Sequence, residues 1–276
     1  MQDLVQPVLS MSSSKKFPIS FFLSTLTASM LSIGAHAAEA GDADHGAGEA
    51  DTSHWGLGVG ASLKKSPYKG ISNDDLVVPL VSYDSKWVHF FGNTLDAKLP
   101  SIGEFDFAVR TQVAWGEGYK ASKSPYLDGM DTRGGSIYLG GANTWHASFA
   151  QTLLQYLKDV SGNSHGSQLK FCIERSFNFA GSYQITPHAS VTNLDSKYVN
   201  YYYGVRQSEA TPARPAYEGK SSTEAEVGVR FGYLLAPNQR LILDVNDTHW
   251  GSGISKSPLV DRTSTPGLLL GYTYAF

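Results

Sequence analysis

The chain has 276 residues, a formal charge of −3 and one cysteine, Cys172. That balance lacks the basic footprint of a nucleic-acid binder, and a lone cysteine excludes an internal disulfide framework. Glycine and aromatics are abundant (28 Gly, 15 Tyr, 13 Phe and 5 Trp), and beyond the N-terminal region no run approaches the eighteen or so apolar residues of a membrane helix.

Lys15 and Lys16 precede an uncharged apolar stretch, Phe17 to Ile33, followed by the small-x-small site Ala35-His36-Ala37. This pattern reads as a cleavable secretory signal over 1–37, with Met1 or Met11 as initiator. Residues 38–53 are small and acidic, too poor in apolar groups to order themselves, and read as a solvated periplasmic tail. His45 and His54 with Asp42, Asp44 and Asp51 have no metal-site spacing, so neither a metal nor another cofactor is expected. Deleting 38–53 should leave membrane insertion intact, seen as unchanged heat-modifiable migration; failed assembly would refute the tail assignment.

From His54 onward the chain divides into short alternating runs and turns. Trp55, Leu57, Val59, Ala61 and Leu63 share one face, and Gly56, Gly58, Gly60 and Ser62 the other. Further runs fall near 76–84, 86–91, 94–99, 104–115, 135–145, 147–159, 166–176, 179–191, 222–235, 239–250 and 265–276. Long gaps (65–75, 116–134, 192–221, 251–264) and tight turns then segregate to opposite ends. An even strand count with that asymmetry predicts an all-β fold over 54–276: a transmembrane antiparallel up-and-down barrel of about twelve strands in the outer membrane of a Gram-negative bacterium. Outer-membrane lipid is then its surroundings.

The same parity predicts the lumen. Glu104, Asp106 and Arg110 oppose Phe105, Phe107 and Val109; Lys170 and Glu174 oppose Leu169, Phe171 and Ile173. Glu224, Glu226, Arg230, Arg240 and Asp244 likewise alternate with apolar neighbours. Charges of both signs pointing into a small lumen favour a paired plug over a selective channel, with Cys172 a small inward filler. In the closing run Leu268, Leu270, Tyr272, Tyr274 and Phe276 face outward, and Tyr272, Tyr274 and Phe276 resemble the terminal signal read by the barrel-assembly machinery, an expected partner.

The longest outer gap, 192–221, holds Tyr201-Tyr202-Tyr203-Gly204-Val205, Arg206, Pro212, Arg214-Pro215 and Tyr217. Its first reading is a folded-in loop whose Tyr and Arg side chains close the lumen; its second is a ligand or receptor surface, since Tyr and Arg favour binding hot spots. Ser257-Pro258 reads first as a turn into the last strand and second as part of that lid.

These residues also carry a resemblance. Tyr201 to Val205, Glu209-Ala210, Arg214-Pro215-Ala216-Tyr217, Ser257-Pro258-Leu259-Val260 and Gly271 to Phe276 resemble, in order and spacing, the MipA/OmpV outer-membrane family. Pro79 with Tyr83, and Asp159 before Gly162 and Gly166, also fit, so the likeness spans about 55–276. It implies a non-catalytic scaffold that holds murein-remodelling enzymes, a lytic transglycosylase and a peptidoglycan synthase, beneath the outer membrane. Family members are also described as narrow small-solute pores or adhesins. His188-Ala189-Ser190 with Asn193 resembles the His-x-Ser pair of outer-membrane lipid hydrolases. Parity, however, turns His188 and Ser190 inward, away from lipid, and Val191 stands where those enzymes have Asn, so no catalytic residue is expected.

Overall fold

A computed structural model describes residues 53–276. The expected signal 1–37 and, Ser53 apart, the expected tail 38–53 lie outside the described residues. Strand segments follow one another as β1 (His54–Lys64), β2 (Leu76–Asp84), β3 (Val88–Phe91), β4 (Thr94–Ile102), β5 (Phe105–Val113) and β6 (Ile137–Ala147). They continue as β7 (Ala150–Asp159), β8 (Ser167–Glu174), β9 (Phe177–Phe179), β10 (Tyr183–Leu194), β11 (Ser222–Ala236), β12 (Gln239–Trp250) and β13 (Ser264–Ala275). Each pairs antiparallel with its neighbour, β13 returns to β1, and the β10–β11 pair closes the ring.

The barrel has twelve staves, because β8 and β9 are one. Glu174 faces His188 and Phe177 faces Ile185 in a single register. The break at Arg175–Ser176 falls opposite Pro187, whose nitrogen has no hydrogen for the ladder; Arg175 N still donates to Pro187 O at 3.2 Å. Residue 179, expected to open the ninth strand, therefore ends the eighth. The hairpin is made by Ala180 (φ 48°) and Gly181 (φ 71°), consecutive left-handed residues that match strand twist.

Alternation behaves as a membrane barrel requires. Trp55, Leu57, Val59, Leu169, Phe171, Val245 and Leu270 are exposed on the outer wall, while Leu80, Leu153, Cys172, Ile242 and Leu269 are buried on the inner one. All but one of the connections at one end are long (65–75, 114–136, 160–166, 195–221 and 251–263), and those at the other are tight. Gly56 pairs with Ala275 at the tight-turn end, so both ends of the described chain lie there. Short turns and termini mark the periplasmic side.

The exception at the outer end is the Gly92–Asn93 turn, which makes the wall lower. β2 pairs with β3 only over Ser82–Asp84, plus Gly92 N to Val81 O at 3.1 Å. Odd residues of β2 turn their backbone groups to that side, so the side of Pro79 without a donor faces the stretch of β2 with no strand beside it among the described residues. That is the placement a strand proline tolerates.

Candidate functional site

The loop 195–221 opens with a helix, α1 (Ser196–Tyr203), capped where the Asp195 side chain accepts from Tyr198 N at 2.8 Å. Strand-like alternation therefore does not govern the three adjacent tyrosines. Helical spacing buries Tyr198, Val199, Tyr202 and Tyr203 together, and Tyr201 packs beside them with the Arg133 guanidinium 5.8 Å from its ring. Two glycines allow the close seating: a Cβ on Gly166 would lie 2.6 Å from Tyr198 N, and one on Gly219 2.6 Å from Asn200 N.

Around α1 the other outer loops converge into one apolar cluster that includes Tyr68, Leu127, Met130, Val205, Ile254, Leu259 and Val260. Polar latches pin it. Ser257 Oγ donates to Tyr203 O at 2.6 Å, Tyr217 Oη donates to Gly253 O at 2.9 Å, and Val205 and Tyr217 exchange backbone bonds of 2.9 Å each. Gly204 N closes the helix on Asn200 O. Arg214 donates to Tyr126 O, to Asp128 O at 2.9 Å and to Glu209 O at 2.8 Å. A buried pair locks the centre, with Arg133 Nη2 2.8 Å from both Glu209 carboxylate oxygens. Pro215 is exposed and Pro258 half-buried, so these two shape turns and do not fill the core.

A second group of buried, paired side chains lies below, at mid-lumen. Arg110 holds Asp96 with two bonds of 2.7 Å and Gln155 with a third. Across the lumen Arg230 reaches Glu174 and Asp244 at 3.3 Å each, and His188 Nε2 meets Asp244 Oδ2 at 3.0 Å. Thr248 Oγ1 donates to Glu226 at 3.3 Å, and Lys170 is buried on the same wall. Cys172 packs with Ala142 and Leu153, a filler as expected. Arg240 sits half-buried nearer the periplasmic mouth, close to Gln184. Asp106 is at the mouth itself, 2.8 Å from His146.

Glu104 departs from expectation. It belongs to the β4–β5 turn and is exposed, accepting from Trp145 Nε1 at 3.1 Å. The turn at Gly103 (φ 59°) ends the alternation one residue before β5 begins.

The model of the family described as MltA-interacting protein MipA matches residues 57–276. The chain belongs to the MipA family. Curated relatives include the putative outer membrane protein YiaT of Escherichia coli K12, 22% identical over 82% of this chain and 93% of that protein. OmpV of Vibrio cholerae is 28% identical over 68% of each, and Omp26La of Vibrio anguillarum 27% identical over 75% of each. Among solved structures, the NanC porin aligns over 79% of this chain and 98% of its own with a TM-score of 0.43 and 9% identity.

Fold, relatives and family together make this an outer-membrane β-barrel. The terminal aromatics lie on its lipid-facing wall as parity predicts; Tyr272 Oη donates to Gln239 at 3.1 Å and Tyr274 stacks edge-on with Phe276. The structure does place a carboxylate beside His188, which sequence alone does not. Yet Nε2 is spent on Asp244, Nδ1 is buried without a hydrogen-bond partner, and Ser190 lies in the same packed wall. Residues that sequence reasoning misses are Arg133, Glu117 and Tyr68, which sit in aperiodic loops, and Asp96 and Gln155. Asp96 alternates with Leu95 and Ala97, so parity could have found it.

Proposed function

We propose that this MipA-family barrel is a closed, non-conducting scaffold without chemistry of its own, whose periplasmic rim docks murein-remodelling enzymes, a lytic transglycosylase and a peptidoglycan synthase. One observation supports the reading: beneath a packed loop lid, the lumen-facing charges are buried and ion-paired. A solute filter instead needs charges that meet passing water and ions. The family's description as MltA-interacting supports a cell-wall partner. The rim supports docking too, since Trp87, Ile102 and Phe149 stand exposed beside the Asp84–Lys98 and Asp106–His146 pairs. Exposed aromatics ringed by polar groups are common anchors of protein interfaces.

Planar-bilayer recording tests the closure. Both the intact protein and a 195–221 deletion are expected to stay silent, because the mid-lumen layer survives loss of the lid. Steady single-channel steps from the intact protein would replace the scaffold by a pore. The partner half is tested by binding purified lytic transglycosylase to immobilised barrel, with Trp87→Ala and Phe149→Ala together expected to weaken capture about tenfold or more.

A further inference from the structure

An apolar groove of about 640 Å3 crosses the lipid-facing wall from β9 through β10, β11, β12 and β13 to β1. Outward side chains form its banks, among them Phe179, Tyr183, Phe231, Leu243, Leu270 and Ala61. Residues that turn inward give it a floor of backbone, and strand pairing puts them in one row: Gln184, Gly232, Ile242, Gly271 and Gly60. The row climbs across the wall, because Gln184 is the second residue of β10 and Gly60 the seventh of β1. One end of the groove therefore opens at the periplasmic edge of the membrane, and the other lies deeper in the hydrocarbon.

A cation stands at the open end. Glu174 faces His188 and Phe177 faces Ile185 in one register, so Arg175 shares the outward side with Phe177. Ser176 between them turns inward, its hydroxyl 2.8 Å from that of buried Thr186. The Arg175 guanidinium carbon lies 5.1 Å from the centre of the Phe177 ring. Phe177 in turn adjoins Phe179 and Ile185, which line the groove. Arg175 is exposed, and among the described residues no carboxylate pairs with it.

The depth of this cation fits a headgroup. Gln151 faces Glu174, so Arg175 comes opposite Ala150, where β7 leaves its tight periplasmic turn. A guanidinium without a carboxylate on a lipid-facing wall needs an anion, and at the rim of the hydrocarbon that anion is a lipid phosphate. Planar N–H groups held against an aromatic face suit two-pronged contact with phosphate oxygens.

We propose that the groove holds one glycerophospholipid of the periplasmic leaflet, its phosphate on Arg175 and one acyl chain laid from Phe179 toward Ala61. Strands about 4.8 Å apart carry the groove about 24 Å. Half of a hydrocarbon core of about 30 Å is about 15 Å, so a chain that spans one leaflet fits along it. The climb of the row takes that chain from the interface into the bilayer, the course an acyl chain follows from its headgroup. The proposal is independent of enzyme docking at the rim and of whether the barrel conducts.

Native mass spectrometry of the detergent-solubilised protein, titrated with palmitoyl-oleoyl phosphatidylglycerol, tests this. Expected is a first lipid held more tightly than any later one, with diacylglycerol of the same chains bound about tenfold or more weakly. Arg175→Gln should weaken phosphatidylglycerol by a similar factor and erase its advantage over diacylglycerol. Lys158→Gln, outward at the extracellular end of β7, should change neither. Ala61→Trp fills the groove with an apolar group and should weaken both lipids. Heat-modifiable migration confirms that each variant still forms the barrel. The proposal is overturned if the first lipid is held no more tightly than later ones, or if either Arg175→Gln or Ala61→Trp leaves phosphatidylglycerol binding unchanged. Displacement of the bound lipid by an equal concentration of lipid A also overturns it, since the site would then belong to the outer leaflet.

Discussion

Replacing Arg133 by methionine is expected to unlatch the lid at a cost of about 3–5 kcal/mol. The guanidinium ties the loop 114–136 to the loop 195–221: it donates to both oxygens of Glu209, to the carbonyl of Tyr201 at 2.9 Å and to that of Asp131 at 3.3 Å. Its side chain and that of Glu209 are only 3% and 4% exposed. Methionine of similar length preserves much of the packing, so the loss is chiefly electrostatic: Glu209 keeps its bonds from the Asp131 and Arg206 N–H groups but loses its countercharge. Trypsin added to intact cells should then cut at Lys197, Arg206 or Lys220 roughly two to four orders of magnitude faster, if cleavage follows the open population. Equal cleavage rates in parent and variant would remove Arg133 from the latch.

Two acids of the lid region, Glu209 and Glu117, have opposite pH signs. Burial works against the Glu209 carboxylate, but the Asp131 and Arg206 N–H groups and Arg133 outweigh it and hold it below its ordinary 4.5. Its share of lid stability is present above that value and is lost as pH falls through the depressed one. Glu117, raised to about 7, acts in reverse: the folded lid keeps a proton that the open loop releases, so stability declines as pH rises from 4.5 toward about 7. These two contributions together are largest in the acidic range between the depressed Glu209 value and about 7.

How much of this was legible depended on period. The wall was readable because exposed Leu270 and buried Leu269 differ by one position in a strict two-residue repeat. The eighth hairpin slipped because Phe177–Phe179 alternates on either side of a break whose cause, Pro187, sits on the partner strand. The helix α1 was readable in principle: Asp195, then Tyr198, Val199, Tyr202 and Tyr203, is a cap followed by helical spacing, but the adjacent tyrosine run masks it. Arg133 and Glu117 carry no such signal. Their roles come from loops 76 and 21 residues from the Glu209 and Tyr138 they meet, and no local rule reports a contact of that span.

Arg230→Met should be as costly as loss of the latch, about 3–5 kcal/mol, and for a sharper reason. Arg230 stands between Glu174 and Asp244, each side chain no more than 6% exposed. Without it two buried carboxylates share one enclosed layer, with His188 and Asn246 left to serve Asp244. Adding Glu174→Gln and Asp244→Asn to the same chain removes the stranded charges and should return most of the lost stability, since neutral amides in a packed interior need only hydrogen bonds. The urea midpoint of the folded-to-unfolded gel shift reads both steps. A single variant as stable as the parent would mean that water enters the layer and screens the acids. The closure would then be a wet channel lined with charge, and transport would rank above scaffolding. Loss followed by recovery would instead identify the layer as a dry plug, fixed by ion pairs that must be complete to be tolerated.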